Sequence, residues 1–347
     1  MNTRSTDEKL GVMIVGTGWV SGEHIKAFEN NPRTEIRALC NHNVERAEAA
    51  RERFGLECAV AADYRELLGR DGIDVVSICT IHSAHFEETR NALEAGKHVL
   101  VEKPLCIRFD HLRELAPLAA DAAAEGRKTA VGFVARWYSA IKGLKKIADS
   151  GAIGEPYLVR TGYWHEVGAG WKSSAAEAGS SLLTGGCHAV DMMRYFQKPG
   201  AEPVEVFAYS MPPRRRKDFT YDPTITLMLR FDNGSVGEVG SCLETNMPYV
   251  FDLSVLGTRG AINNSRVYSE TLLGEEAFMT VPGVYPDSHD VTHHPFDEEI
   301  DYFVDCITSD REPMISIADA YKTHEICFAA EHSARTGRPV ALPFEGE

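Results

Sequence analysis

Two hydrophobic rhythms divide the chain. In the first third, short unbroken apolar runs alternate with segments of helical period. Beyond residue 200, apolar residues fall on every second position. Residues 12–16 predict a strand that breaks on Gly16 and Gly18 and passes straight into a helix over about 20–30. Residues 35–40 predict a second strand and Val44–Phe54 a second helix. Asp63 is expected to cap a short helix holding Leu67 and Leu68. Residues 74–80 read as a buried parallel strand, followed by a helix that Gly96 stops and a strand at His98–Val101. A helix over about 110–125 and a strand at 129–133 close this series.

The second half changes character. Residues 157–165 predict a strand, and 167–180 are rich in Gly, Ala and Ser around Trp171, as a loop would be. Ile225, Leu227, Leu229 and Phe231 alternate with Thr226, Met228 and Arg230, and Asp232-Asn233-Gly234 is a strong hairpin signal. Residues 236–243 and 250–256 predict returning strands, so an antiparallel sheet with one buried face is expected. Phe296–Thr308 and Ile317–Thr336 have helical patterns. The expected architecture is α/β: a doubly wound parallel sheet of Rossmann type over 1–133, then an α+β domain with a large, mostly antiparallel sheet over 134–347.

Composition narrows the function. A chain of 347 residues defaults to two domains, and 44% hydrophobic with 25% charged residues is ordinary for a globular protein. The net charge of −15 argues against nucleic acid and anionic membrane surfaces as partners. The eight cysteines are scattered, with no Cys-x-x-Cys pair, so neither a zinc knuckle nor a disulfide framework is expected. The polar start and the absence of a membrane-length apolar run lead to the expectation of a cytoplasmic protein.

The candidate chemistry gathers at the carboxyl ends of the first strands, where open α/β sheets bind ligands. Gly16 is suited to a tight turn. Gly18 lets a pyrophosphate approach the backbone, with Trp19 and Val20 opening the helix behind it. The third glycine of a dinucleotide fingerprint is replaced by Ser21, with Gly22 one place late. After the second strand, where a carboxylate usually binds the adenosine ribose, stands Asn41. Asn41 would not repel a 2′-phosphate, and His42 and Arg46 would attract one, so NAD and NADP both stay open. Thr80, Ile81, His82 and His85 follow the next strand and join the expected cofactor contacts. No carboxylate or cysteine joins the two histidines at ligand spacing, so no metal is expected. Glu102, Lys103 and Pro104 end the following strand, and proline holds that lysine extended, ready to aim its ammonium at a substrate hydroxyl. A cis Lys103–Pro104 bond is compatible with this position.

The Gly-x-Gly turn, Ala95-Gly96-Lys97-His98-Val99 and Glu102-Lys103-Pro104, in that order, resemble the glucose–fructose oxidoreductase / inositol dehydrogenase (Gfo/Idh/MocA) family. His24, His85 and Glu299 fit the same pattern. The resemblance covers nearly the whole chain and implies sugar or polyol redox chemistry with a nicotinamide cofactor, Lys103 lying between nicotinamide and substrate. It also implies that Arg136, just after the crossover, lies near the cofactor. Residues 179–196 are similar to the family's Asp-x-Gly-x-His-x-x-Asp segment, which implies that His188 is the catalytic histidine. The family's aspartate is Thr184 here, and threonine holds a hydroxyl in place without taking a proton at neutral pH. Proton transfer would fall to His188, Lys103, or a neighbour such as Tyr163 or His165. If this segment is helical, Thr184, His188 and Asp191 share one face.

The expected activity is hydride transfer between NAD or NADP and a secondary alcohol or ketone of a sugar, polyol or derivative. The rival within the family is a glycosidase that keeps its NAD bound and oxidises the sugar transiently. A nucleotide sensor without catalysis fits less well, since Lys103 and His188 are both kept. A homo-oligomer, dimer or tetramer, is expected through the antiparallel sheet. His289, His293 and His294 lie in a loop-like stretch and read as solvated rather than metal-binding.

Overall fold

The computed structural model describes residues 9–271, 277–286 and 293–346. In chain order the first elements are β1 (Leu10–Val15), α1 (Trp19–Asn30), β2 (Thr34–Cys40), α2 (Val44–Phe54), β3 (Ala59–Ala61) and α3 (Arg65–Leu68). Then come β4 (Val75–Ile78), α4 (His85–Glu94), β5 (His98–Val101), α5 (Phe109–Ala124) and β6 (Thr129–Val131). The six strands form one parallel sheet in the order β3-β2-β1-β4-β5-β6. The order reverses between β1 and β4, which opens the crevice where such sheets take their ligands. All six residues of β1 are buried, as expected for a strand covered on both faces. From α1, Ile25 and Phe28 are fully buried, each such burial contributing about 1.5–3 kcal/mol. The Asn43 side chain accepts the N–H groups of Glu45 and Arg46 and starts α2, and Gly55 at φ 66° ends it.

The chain continues through α6 (Ser139–Asp149), β7 (Pro156–Trp164), α7 (Ala175–Ala178) and α8 (Cys187–Tyr195). β8 (Pro203–Met211), β9 (Thr224–Phe231), β10 (Val236–Cys242) and β11 (Val250–Gly257) follow. β12 (Gly260–Asn263), β13 (Arg266–Ser269), β14 (Met279–Thr280), α9 (Phe296–Thr308), α10 (Ile317–Thr336) and β15 (Val340–Ala341) complete it. Nine strands form the second sheet, in the order β14-β13-β12-β11-β7-β10-β9-β8-β15. β7 and β10 pair in parallel and the other neighbours are antiparallel. In β9 the expected alternation is complete: Ile225, Leu227, Leu229 and Phe231 are buried, Thr226, Met228 and Arg230 exposed. Helix α8 packs on β7 and β10.

The chain separates into two compact units. The first holds residues up to Cys106, His111–Gly132 and Pro295–Ala320, and the second holds Ile107–Asp110, Phe133–His294 and the residues from Tyr321. One cut after residue 133 was expected, yet a late segment belongs with the first unit. Its apolar face explains this. Phe296, Ile300 and Phe303 of α9 are buried, α9 packs on α1, and the Val131 N–H donates to the Ile315 carbonyl at 3.0 Å. Among the described residues no helix is long and apolar enough to cross a membrane.

Candidate functional site

In the first unit the glycine turn is built for close approach. Gly16 sits at φ +90°, where a Cβ would lie 2.6 Å from the Cys79 carbonyl oxygen. A Cβ on Gly18 would meet nothing within 4 Å among the described residues. Gly18 caps α1 without a side-chain hydrogen bond, and the first turn carries no acidic residue. The helix therefore offers bare N–H groups and its positive dipole end to open space, which fits a pyrophosphate. Ser21, in place of the third glycine, turns inward and donates to the Gly18 carbonyl at 2.6 Å. Trp19 and Ile81 are 58% and 37% exposed, and Val20 is half-buried. Asn41 donates to Thr17 Oγ1 at 2.8 Å, tying the end of β2 to the turn, while His42 and Arg46 stand exposed.

Thr80 donates to Glu88 Oε2 at 2.5 Å. Burial pushes the Glu88 carboxyl up to about 7, against the hydrogen bond from Thr80. His82 is buried, its ring 5.7 Å from that of His85. His85 was expected to touch the cofactor, but it is fully buried among protein carbonyls, with Nδ1 2.6 Å from the Pro104 oxygen and Nε2 3.2 Å from that of Thr80. Burial lowers its pKa, so the ring is neutral and donates once, to the closer Pro104 oxygen. It ties the loop carrying Lys103 to α4.

His24 holds the other side of that loop. Nδ1 lies 2.9 Å from Ser77 Oγ and Nε2 3.1 Å from Glu102 Oε1. Burial opposes the charged ring, but Cys79 and Glu102 outweigh it and raise the His24 pKa well above its ordinary value. Burial likewise opposes the Glu102 carboxylate, yet His24 and Lys103 bring its pKa below the ordinary value. The two shifts agree on an imidazolium–carboxylate pair, with His24 donating to both neighbours. Lys103, half-buried, follows directly, and the Lys103–Pro104 bond is cis.

The second unit holds His188 by ring packing. Residues Leu182–Gly186 form a π-helical turn ahead of α8, so the segment is not one continuous α-helix. Gly185 is required there, because a Cβ would lie 2.4 Å from the Tyr163 ring. Tyr163 in turn stacks on His188, centroids 6.0 Å apart and 21° between planes, while Phe133 meets the same imidazole edge-on at 5.9 Å. Burial drives the Tyr163 hydroxyl far above its usual range, Cys187 and Tyr138 adding to it. The phenol is therefore protonated at neutral pH.

Asp191 takes the Arg136 guanidinium at 2.8 and 2.6 Å, both residues being buried. Arg136 is buried, and its guanidinium lies over the Tyr195 ring at 4.7 Å. Thr184 is 3% exposed and donates to the Ala178 carbonyl at 3.2 Å. His294 lies 3.0 Å from the Tyr138 hydroxyl through Nδ1, and His289 falls outside the described residues.

Sequence reading does not connect Ser77 with His24, or Phe133 with His188. Its one signal for the second cluster was the Gly185-Gly186 pair inside an otherwise helical run.

Comparison with known proteins gives a consistent picture. Residues 10–133 match a family model described as an oxidoreductase family with an NAD-binding Rossmann fold, and residues 141–263 match the GFO/IDH/MocA C-terminal domain. The chain is similar to scyllo-inositol 2-dehydrogenase (NAD(+)) of Bacillus subtilis, 28% identical over 342 residues and 97% of each chain. It is similar to D-glucoside 3-dehydrogenase of Escherichia coli, 29% identical over 200 residues and 56% of each chain. A solved oxidoreductase domain protein from Kribbella flavida superposes with a TM-score of 0.85 at 26% identity, covering 97% of this chain and all of that one (100%).

Proposed function

Because the chain belongs to the Gfo/Idh/MocA family of NAD-binding oxidoreductases, we propose that it is an NAD-dependent sugar or polyol dehydrogenase acting between a secondary alcohol and its ketone. The observation that carries this reading is the likeness, along 97% of both chains, to a relative named scyllo-inositol 2-dehydrogenase (NAD(+)). When bound, nicotinamide supplies the hydride-accepting carbon. The first turn of α1, from Gly18 through Trp19 and Val20, holds the pyrophosphate on its N–H groups. Asn41, steadied by Thr17, bonds the adenosine ribose, and Thr80, Ile81 and His82 border that end of the site. Lys103 donates to the substrate hydroxyl and polarises it, and His188 takes the hydroxyl proton in oxidation and returns it in reduction. Thr184, committed to the Ala178 carbonyl, shapes the turn before His188 and moves no proton. A small-molecule substrate and a homo-oligomer belong to the same proposal, and light scattering tests the latter.

The decisive experiment incubates the purified protein with NAD+ or NADP+ and a panel of inositols, aldoses and glycosides, and follows the absorbance of reduced nicotinamide. Reduction of NAD+ by one class is expected. In Lys103→Ala, cofactor binding is expected to persist while turnover collapses, and full turnover would remove the lysine from the mechanism. Aglycone release without net cofactor reduction would replace the dehydrogenase by the transient-oxidation cycle.

A further inference from the structure

The second unit contains an open cavity of about 770 Å³ that the reaction as described leaves unused. Its walls are residues 165–169, Arg216 and residues 246–249. His165 and Tyr249 line one part of it, their rings 5.2 Å apart at 85°. Both rings meet Tyr163, at 6.0 and 5.4 Å, and Tyr163 is the ring stacked on His188. One aromatic ring, Tyr163, thus links these wall residues to the proposed acid/base.

Its walls are fastened to one another. The Glu244 carboxylate accepts the backbone N–H groups of Arg214, Arg215 and Arg216 at 2.7, 2.9 and 2.9 Å. The Arg215 guanidinium donates to the Glu244 and Thr245 carbonyls and to Asn246 Oδ1, and that of Arg216 donates to the Val167 carbonyl. A cavity so braced is formed before any ligand arrives and costs little ordering on binding. Val167, Met247, Pro248 and Tyr249 give it apolar surface, and His165, Glu166 and Asn246 give it hydrogen-bonding edges. A sugar ring has the matching chemistry, with C–H faces for the apolar wall and hydroxyls around its rim. An isolated polyol ring at His188 has nothing to place there.

We propose that this cavity receives the second, non-reacting sugar ring of a glycoside whose first ring is oxidised at His188. The inference rests on the assignment of His188 as the acid/base. It makes a disaccharide a better substrate than its free monosaccharide, through contacts with His165, Asn246 and Tyr249.

The test compares glucose and myo-inositol with maltose, cellobiose and trehalose as reductants of NAD+. At least one disaccharide is expected to exceed glucose by about tenfold or more in kcat/KM. Gly168→Trp fills the cavity from a position where a Cβ meets nothing within 4 Å among the described residues. It is expected to erase the disaccharide advantage and leave glucose oxidation unchanged, and Ala169→Trp, at an exposed wall residue, is expected to do the same. Glucose oxidised as well as every disaccharide, or a filled cavity that slows both classes alike, overturns the subsite alone. Oxidation of none of these compounds removes the dehydrogenase reading together with it.

Discussion

His24 and His188 are both buried imidazoles, one in each unit, and opposite forces hold them. His24 is gripped at both ring nitrogens, by Ser77 and by the Glu102 carboxylate, and is charged. His188 is placed by the faces and edges of Tyr163 and Phe133, while the nearby acid, Asp191, is taken by Arg136. A charged imidazole bonded at both nitrogens has no capacity left to accept a proton, so of the two only His188 is proposed as the acid/base. The first arrangement anchors the loop of Lys103, and the second suits an acid/base.

Exchanging His188 for asparagine, and removing the counter-charge of His24, are the sharpest ways to break this contrast. His188→Asn should lower kcat/KM by ~10²–10⁴-fold, measured as NAD+ reduction, with the cooperative unfolding transition retained. A His188→Asn protein that unfolds, or one that keeps its rate, ends the assignment. On the other side, Glu102→Ala leaves His24 without its counter-charge and should cost about 3–5 kcal/mol of unfolding free energy in urea titration. Its pH dependence has a definite sign. The raised His24 pKa stabilises the fold fully below 6.5, and this is lost as pH rises through the higher folded value. The lowered Glu102 pKa stabilises it above 4.5, and this is lost as pH falls through the lower folded value. Wild-type stability should therefore be greatest, as far as this pair governs it, between 4.5 and 6.5, and the variant should lose that plateau.

Glu88 supplies a smaller effect of the same electrostatic kind. Its carboxyl pKa is raised from 4.5 to about 7, so its protonated form favours folding below 4.5 and that contribution disappears as pH rises through 7. Glu88→Gln should gain stability over wild type above pH 7, by ~3 kcal/mol at most. Equal melting temperatures of the two proteins at pH 5 and pH 8 would refute the shift. The smallest expected change is Gly185→Ala, which forces a methyl against the Tyr163 ring and should cost about 1–3 kcal/mol. Because that ring positions His188, the variant should lose turnover out of proportion to stability. A proportionate loss would show that ring stacking does not set the histidine.

How much of this was legible beforehand follows from the range of the forces involved. Strand and helix periods are local, so β1, α2 and the alternation of β9 could be read directly, as could the glycine turn, whose Gly16 conformation is a property of one residue. The order of motifs along the chain points to the family by itself. Which side chains face one another was not legible, because the partners lie far apart in sequence: Glu102 is 78 residues from His24, and Asp191 is 55 from Arg136. The helical wheel put Thr184, His188 and Asp191 on one face, but a π-turn interrupts the helix at Thr184 and the buried Arg136 guanidinium takes Asp191. The return of α9 to the first unit was equally hidden, since only the fit of its apolar face against α1 decides it. Backbone period and turn chemistry are determined by neighbours along the chain; charge pairing, ring stacking and burial are settled only when the folded chain brings distant residues together.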